Sequence, residues 1–175
     1  IIWKPLTGST AQVSVKKRQG DWSDIGTSSG KVSAHFLTII QSHRTESDNH
    51  YAWAIWPSTT ELSSTHSGIK LLANAPNVQA VSLPDQQVLY ANFWHSASVA
   101  GIKALTPMSL IMTTGAQSFK VAVSSPRRDS RVSFQLTENE VPLRIANDLE
   151  KRVSLKGNII SVDMSHRRGS SYSFE

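Results

Sequence analysis

Apolar and polar residues alternate along most of this chain, which is the pattern of β-strands rather than of helices. In the stretch 31–41, "KVSAHFLTIIQ", every second residue falls on the same strand face. The same alternation predicts strands at 11–16, "AQVSVK", and at 51–57, "YAWAIWP". Only 59–67, "TTELSSTHS", is predicted to hold a short helical turn, because its hydroxyl side chains can cap one.

The second half of the chain repeats short alternating runs, spaced about ten residues apart. Gly, Pro, Asn or Asp lies between most of them, in turn sequences such as "PNV", "LPD", "SSPRRD" and "KGN". This spacing is typical of an antiparallel β-sandwich. The predicted strands are 69–74, 78–83, 88–94, 110–114, 119–125, 131–136, 141–146, 152–157, 159–165 and 171–175.

The Ser- and Thr-rich segment separates two predicted pieces, 1–66 and 67–175. The first piece has too few strands to bury its own apolar faces, and it needs partner strands from elsewhere. The chain opens on "IIWKPLTG" rather than on Met, so we expect it to be part of a longer polypeptide.

Composition narrows the function classes. The chain has no Cys, which excludes disulfides and thiolate metal sites. No run of about 18 apolar residues is present, so no membrane span is predicted. The net charge of +5 favours polyanionic partners, with simple solvation as the alternative. Nucleic acid is not predicted as a partner, because no helix-turn-helix, aromatic RNA-binding strand or zinc knuckle is found.

Candidate acid–base chemistry is concentrated in 42–57, "SHRTESDNHYAWAIWP". A Tyr and a His can share proton abstraction and leaving-group protonation, and here His43, His50 and Tyr51 lie close in sequence. His43 ends one predicted strand and Tyr51 begins the next, so the two would face each other across a hairpin. We favour a structural role, because Tyr51 alternates with Trp53 and Ile55 on a face that looks like core.

Metal and cofactor sites are not predicted. The six His residues show no HxH or HExxH spacing. The acidic stretches "DWSD" at 21–24 and "ESDN" at 46–49 offer oxygen ligands for calcium. Neither matches an EF-hand loop, and surface turns use the same residue types.

The five Trp residues raise the question of sugar binding, because aromatic faces stack on sugar rings. We predict that Trp53 and Trp94 lie in the core, and that Trp56, which faces the other way from Trp53, is exposed or contacts another domain. Three basic clusters, 16–18, 127–131 and 167–168, fall at predicted turns. Arginine forks suit carboxylate and sulfate groups, although solvated turns are our first interpretation.

The order of several motifs resembles the polysaccharide lyase family that includes hyaluronate, chondroitin AC and xanthan lyases. That family has "G-x-W-x-x-I", a strand ending in His-Gly, "Y-x-Y-x-x-x-P", "L-x-N-x-x-x-V-Q-A-V" and "N-F-W". The matching residues here are Gly20, Trp22 and Ile25, then Tyr51 and Pro57 with Trp53 in place of the second Tyr, then Leu72, Asn74 and 78–81, and finally Asn92, Phe93 and Trp94. This chain departs from the pattern at Arg44, where the family has Gly after the strand-ending His.

The resemblance implies an architecture and a mechanism for the parent enzyme. Family members have a helical α/α toroid, a large central β-sandwich and a smaller C-terminal one. This chain resembles the end of the central sandwich, 1–66, followed by the C-terminal antiparallel β-sandwich, 67–175. In the family a Tyr removes the C5 proton of a uronic acid, Asn and His neutralise its carboxylate, and the 4-linked sugar leaves by β-elimination. Those residues lie on the toroid, so no catalytic residue is expected in this chain.

The resemblance also sets our expectations for sites and partners. We expect a part of a secreted, extracellular lyase for hyaluronan or chondroitin, with xanthan as the nearest alternative substrate. Its partners would be acidic polysaccharide and the toroid, and it would need no cofactor. The residues predicted to contact substrate are Lys17, Arg18, Arg44 and Trp56. The alternatives are a stand-alone carbohydrate-binding module and a purely structural sandwich.

Overall fold

The β-strand pattern of the sequence is realised throughout the described chain. The computed structural model describes residues 2–7, 10–42, 50–56, 68–137 and 143–175. These residues form fifteen strands in four antiparallel sheets, which confirms the predicted all-β fold. The described residues also include single-turn 3-10 helices at Trp22–Asp24 and Pro84–Gln86. No helix among these residues has the length and apolar character needed to cross a membrane.

The first part of the chain contributes two separate two-stranded sheets. Strand β1 (Ile2–Pro5) pairs with β4 (Trp53–Trp56). Strand β2 (Ala11–Asp21) pairs with β3 (Lys31–Gln41) along the full length of both. The interpretation of 42–57 as a hairpin is therefore wrong, since β3 and β4 have other partners. Alternation identifies a strand, but it does not identify the strand's neighbour.

The second part forms a sandwich of two sheets. Its strands are β5 (Lys70–Ala75), β6 (Val78–Leu83), β7 (Val88–Phe93), β8 (Ala97–Val99), β9 (Ile102–Ala104), β10 (Met108–Thr114), β11 (Phe119–Ser124), β12 (Arg131–Leu136), β13 (Val153–Lys156), β14 (Ile159–Asp163) and β15 (Tyr172–Phe174). One sheet has the order β15-β11-β10-β7-β6-β5, and the other has the order β13-β14-β12-β9-β8. Both are antiparallel throughout, which fits the short connections between successive strands.

A single hydrophobic core lies between these two sheets. Its most completely buried side chains include Phe93 and Met108 from the six-stranded sheet and Phe134 and Val162 from the five-stranded one. Each belongs to an alternating run, so the inward face of every strand is apolar while the outward face is free to vary. The whole buried core of the described chain belongs to the second part, since no residue before Val78 is in it.

Most of the predicted strands are confirmed, and the exceptions have simple causes. Strands β1, β8 and β9 were not predicted, because three or four residues are too few to show alternation. The predicted strand at 141–146 is wrong for its described residues, 143–146. Leu143 and Ile145 alternate because they pack against the core, but no strand ladder holds them. The helical turn predicted at 59–67 lies outside the described residues, and the boundary between 66 and 67 stays a prediction.

Candidate functional site

A groove of about 790 Å³ lies on the outer face of the six-stranded sheet, beneath the segment 50–53. Its floor is formed by outward-facing residues of β5, β6, β7, β10 and β11. The groove exists because strand alternation buries one set of side chains and leaves the other set on this outer face. In this groove the aromatic segment 50–53 lies over the strands that carry the sequence motifs, β5, β6 and β7.

One row of floor residues is polar. Five side chains lie directly opposite one another across neighbouring strands: Asn74, Gln79, Asn92, Ser109 and Ser124. Neighbouring strands lie about 4.8 Å apart, so the row extends for about 19 Å across the sheet. It offers amide and hydroxyl groups as hydrogen-bond donors and acceptors, and it carries no charge. Three of the residues, Asn74, Gln79 and Asn92, are motif positions in the sequence.

A second row is mostly apolar, and it lies two residues away on each strand except β5, where a bulge makes the separation three. Its members are Leu71, Val81, Tyr90, Ile111 and Ala122, again aligned by the strand register. Tyr90 and Ile111 remain partly exposed there. The two rows together make a surface that can hold either a sugar chain or a polypeptide segment, because both present apolar and hydrogen-bonding groups side by side.

Two hydrogen bonds join the motif residues around the groove. The Asn74 side-chain amide Nδ2 donates to the backbone oxygen of Tyr51 at 3.0 Å. The Trp94 indole Nε1 donates to Oε1 of Gln79 at 3.1 Å. Motif residues that are far apart in sequence therefore hold the 50–53 segment and the Trp94 ring at the edges of one groove.

The prediction that Trp53 and Trp94 are core residues is wrong. Trp53 is 47% exposed and Trp94 is 41% exposed, and Tyr51 and Ile55 are exposed to a similar degree. Trp94 follows the last inward residue of β7, Phe93, and so it lies on the outer face of the sheet. Alternation separates two faces of a strand, but it does not tell which face is covered.

Of the predicted substrate contacts, the structure describes the side chains of Lys17 and Arg18 only. Lys17 and Arg18 are exposed in the middle of β2 rather than in a turn, and neither lines the groove. The Arg18 guanidinium lies 5.2 Å from the centroid of the Phe36 ring, a cation–π contact. Arg44 lies outside the described residues. Trp56 ends β4, but its side chain lies outside the description, so its role stays a prediction.

The described residues of the groove include two of the three candidate acid–base residues. His50 and Tyr51 line it, while His43 lies outside the description. In the part of the chain that the structure describes, no three His, Asp or Glu side chains converge as metal ligands do. In the "DWSD" turn, Asp21 caps the 3-10 helix by accepting from the Ser23 and Gly30 N–H groups. These bonds, led by the one from Ser23, lower the pKa of Asp21.

A second polar cluster, which the sequence analysis did not predict, lies at one end of the sandwich. Asp148 accepts hydrogen bonds from the Tyr172 hydroxyl and from the N–H groups of Arg152 and Val153. Burial is the largest single influence on Asp148 and opposes its ionisation, but these donors together outweigh it and lower its pKa. The pKa of Tyr172 is raised, first by burial and then by the bond to Asp148.

Two arginines complete this cluster through Glu150. Arg152 Nε donates to Glu150 Oε2 at 2.6 Å, and Arg167 donates to the other oxygen. The bond from Arg152 is the main reason that the pKa of Glu150 is lowered, and Arg167 adds to the effect. Arg167 also stacks on Tyr172, with its guanidinium carbon 4.9 Å from the ring centroid. The only sequence signal for this cluster was the set of basic pairs in turns, which we interpreted as solvated.

Comparisons with known proteins agree with this arrangement. The model of the polysaccharide lyase family 8 super-sandwich domain matches residues 2–67, and that of the family's C-terminal β-sandwich domain matches residues 70–133. A hyaluronate lyase of Thermasporomyces composti is 23% identical over 156 residues, which are 85% of this chain and 20% of that protein.

Solved lyase structures show the same fold. A Paenibacillus xanthan lyase superposes with a TM-score of 0.78 at 18% identity, over 98% of this chain and 18% of that one. The Streptomyces coelicolor A3 chondroitin AC lyase, in complex with chondroitin sulphate, gives a TM-score of 0.71 at 17% identity, over 98% and 26% of the two chains. The chain spans about a fifth of the length of the curated relative it matches. Two domain models of one family in the expected order, covering most of the sequence, show that the chain belongs to polysaccharide lyase family 8, as its C-terminal β portion.

Proposed function

We propose that this chain is the non-catalytic β portion of a lyase that cleaves uronic-acid-containing polysaccharide by β-elimination. Hyaluronan or chondroitin is the proposed substrate, with xanthan as the alternative. In this proposal the chain supports a catalytic α/α toroid that lies elsewhere in the same protein. Because such polysaccharides are found outside cells, we also propose that the parent protein is secreted.

The observation that supports this role is the ribbon formed by β2 and β3. The strands pair along eleven residues each, and neither pairs with a third strand in the described chain. Opposed residues share a face, so Val13, Val15, Leu37 and Ile39 make an apolar group on one side. Val15 is 63% exposed and Leu37 is 54% exposed. A two-stranded ribbon with an uncovered apolar face is at best marginally stable alone.

The other face of the ribbon leads to the same conclusion. Phe36, Val32 and Ile40 face that side and are also about half exposed. Apolar groups on both faces indicate that other parts of a protein cover both sides of the ribbon, because an antiparallel pair with one solvated face carries polar residues on that face. The match covers only a fifth of the length of the hyaluronate lyase. This supports the proposal that the strands that cover the ribbon come from the rest of the polypeptide.

The first test is a lyase assay of the chain beside the longer protein that contains it. Hyaluronan, chondroitin and xanthan are supplied in turn, and the unsaturated product is followed by its ultraviolet absorbance. We expect product from the longer protein and none from residues 1–175. Product from the 175-residue chain would contradict the non-catalytic role, and no product from either protein would contradict the lyase assignment.

A second test asks whether the ribbon is covered in the parent protein. We expect Leu37→Asp to change the stability of the isolated chain by less than about 0.5 kcal/mol, because Leu37 is already exposed there. In the longer protein the same change should cost about 2–4 kcal/mol, since it buries a charge among apolar strands. The matched control is Ser28→Asp, in the loop between the strands, which should be neutral in both. Equal effects of Leu37→Asp in the two proteins would contradict the support role.

A second candidate function, a carbohydrate-binding module, is favoured by the groove. Its polar row and the exposed Tyr90 ring offer hydrogen bonds and an aromatic face to a sugar chain. This function predicts that the isolated chain binds polysaccharide at physiological salt, and that Tyr90→Ala weakens the binding. Binding that disappears as salt rises would indicate charge attraction only.

A further inference from the structure

The basic turns of the C-terminal sandwich converge on one end of it. This end consists of residues 125–131, 148–152 and 163–168, and we call it the arginine end. Strands β11 and β14 finish there, and β12, β13 and β15 begin there, because their neighbours are antiparallel. The turns touch directly: Met164 N–H donates to Ser130 O at 2.8 Å, and Arg152 donates to Ser165 O at 3.1 Å.

The arginine end carries a surplus of positive charge. Its three segments contain seven of the 18 Lys and Arg residues of the chain and four carboxylates, a surplus of three. Since the net charge of the whole chain is +5, most of that excess is concentrated here. A local concentration of cations attracts polyanions more strongly than the same charges spread evenly over the surface.

Three of the carboxylates are already engaged in the fold. Glu150 is held by Arg152 and Arg167, and Asp148 by Tyr172 and backbone N–H groups. Asp163 accepts from Ser165, and that residue is the main reason that its pKa is lowered. The acceptor oxygens of these carboxylates are therefore occupied within the fold, and their charges are already included in the surplus of three.

Arg128 and Arg168 are the two arginines left for a ligand, and Lys151 is a third exposed cation without a side-chain partner in the described chain. Both arginines are exposed, and neither guanidinium makes a hydrogen bond or an ion pair within the described chain, although the Arg128 backbone N–H donates to Ser125 O. Arg131 lies opposite Asp163 in the strand register and is partly compensated by it. A guanidinium presents a planar fork of donors that matches the two oxygens of a carboxylate or sulfate group.

The backbone at this end indicates that these side chains have a role beyond turn formation. Of six non-glycine residues with positive φ in the described chain, four lie here: Arg128, Lys151, His166 and Arg168, with φ of 60°, 54°, 65° and 51°. This left-handed conformation costs an L-residue about 1–2 kcal/mol, and glycine avoids that cost. The hairpin at the opposite end uses Gly157, with φ of 62°. The chain thus places basic side chains where glycine would be more stable.

An aromatic ring lies next to the cations. Arg127 donates to the backbone oxygen of Trp94 at 3.3 Å, so the residue that carries the partly exposed indole lies next to the turn 125–131. A sugar ring that bears a carboxylate or sulfate has an apolar face for the indole and an anion for the arginine forks. We propose that the arginine end binds the anionic groups of an acidic polysaccharide. The identity of that polysaccharide rests on the proposed function.

The test compares two double variants of the complete 175-residue chain. Arg128→Asn with Arg168→Asn removes the two exposed forks, and asparagine tolerates the left-handed conformation, so no new strain is added. The matched control, Lys103→Gln with Lys156→Gln, removes the same charge from exposed positions outside the arginine end. Binding of size-matched chondroitin sulfate and hyaluronan is measured by calorimetry at about 20 and 150 mM salt. Thermal unfolding checks that each variant is folded.

We expect the arginine variant to lose about tenfold or more in affinity and to show a shallower salt dependence. The lysine control should lose less than about threefold. Equal losses in the two variants, or no binding by the wild-type chain at low salt, would overturn the proposal. Duplex DNA and anionic vesicles are titrated in parallel, and tighter binding of either would overturn the polysaccharide assignment. Lyase activity of the longer protein is measured separately, so failure of binding here remains distinct from failure of the proposed function.

Discussion

The hydroxyl of Tyr172 gives the sharpest test of how the edges of the two sheets are linked. Tyr172 is 5% exposed, and its hydroxyl donates to Asp148 and accepts from the N–H of Glu150 at 3.1 Å. It therefore ties β15, the edge strand of one sheet, to the loop that leads into β13, the edge strand of the other. The substitution Tyr172→Phe removes only the oxygen and leaves the buried ring in place.

The expected loss follows from the two bonds. A hydrogen bond to a charged group contributes about 1.5–3 kcal/mol, and an amide left without a partner adds to the loss, so we expect about 2–3 kcal/mol at pH 7. The pKa of Asp148 is lowered in the folded chain. The stability that ionised Asp148 contributes is fully present above the pKa of Asp148 in the unfolded chain. It is lost as the pH falls through the pKa of Asp148 in the folded chain. The effect of Tyr172→Phe should therefore shrink in acid, where the bond to Asp148 becomes neutral.

Urea denaturation at pH 7 and at steps down to about pH 3 measures both quantities. The matched control is Tyr90→Phe, because the Tyr90 hydroxyl is partly exposed and makes no hydrogen bond within the described residues. It should change the free energy of unfolding by less than about 0.5 kcal/mol at every pH. If the two Tyr→Phe changes cost the same, or if the cost of Tyr172→Phe does not depend on pH, the assigned role of the hydroxyl is refuted.

Three further changes test other parts of the structure. Phe134→Ala, at a fully buried position, should cost about 3–5 kcal/mol in urea denaturation, whereas Phe36→Ala on the exposed ribbon should cost less than about 1 kcal/mol. Asn74→Ala should speed amide hydrogen exchange in the 50–53 segment without changing global unfolding, and a loss of global stability would contradict this local role. Gly157→Ala should cost about 1 kcal/mol from its positive φ alone, since no atom crowds the position, while Gly20→Ala should be tolerated.

The sandwich itself could be predicted from the sequence, because its strands alternate cleanly and its turns contain Gly, Pro or Asn. Strands β6 and β12 have the predicted bounds, and the turn at Gly157 lies where "KGN" indicated it. What alternation could not provide was pairing. The partners of β3 and β4 depend on which strands are nearest in space, and no local pattern records that.

The exposure of the aromatic residues could not be predicted from the sequence, for a related reason. Trp53 and Trp94 lie on faces that are as apolar as many core faces, and a period of two identifies a face without saying what covers it. The polar row that marks the groove is visible only after the register is known. Asn74, Gln79 and Asn92 are not adjacent in sequence and become neighbours through two consecutive strand pairings, β5 with β6 and β6 with β7.

The convergence of the basic turns follows from topology, and a count of strands would have anticipated it. Each strand crosses the sandwich once, so two turns separated by an even number of crossings lie at the same end. Four predicted strands separate the turn at 126–130 from the loop at 166–170, which places both at one end even though 143–146 proved not to be a strand. The passage from 143 to 150 still returns the chain to the arginine end, where Asp148 bonds Tyr172. Each basic cluster looks like a solvated turn when it is considered alone. Because an even number of crossings separates the basic turns, they lie at the same end and form a single charged surface.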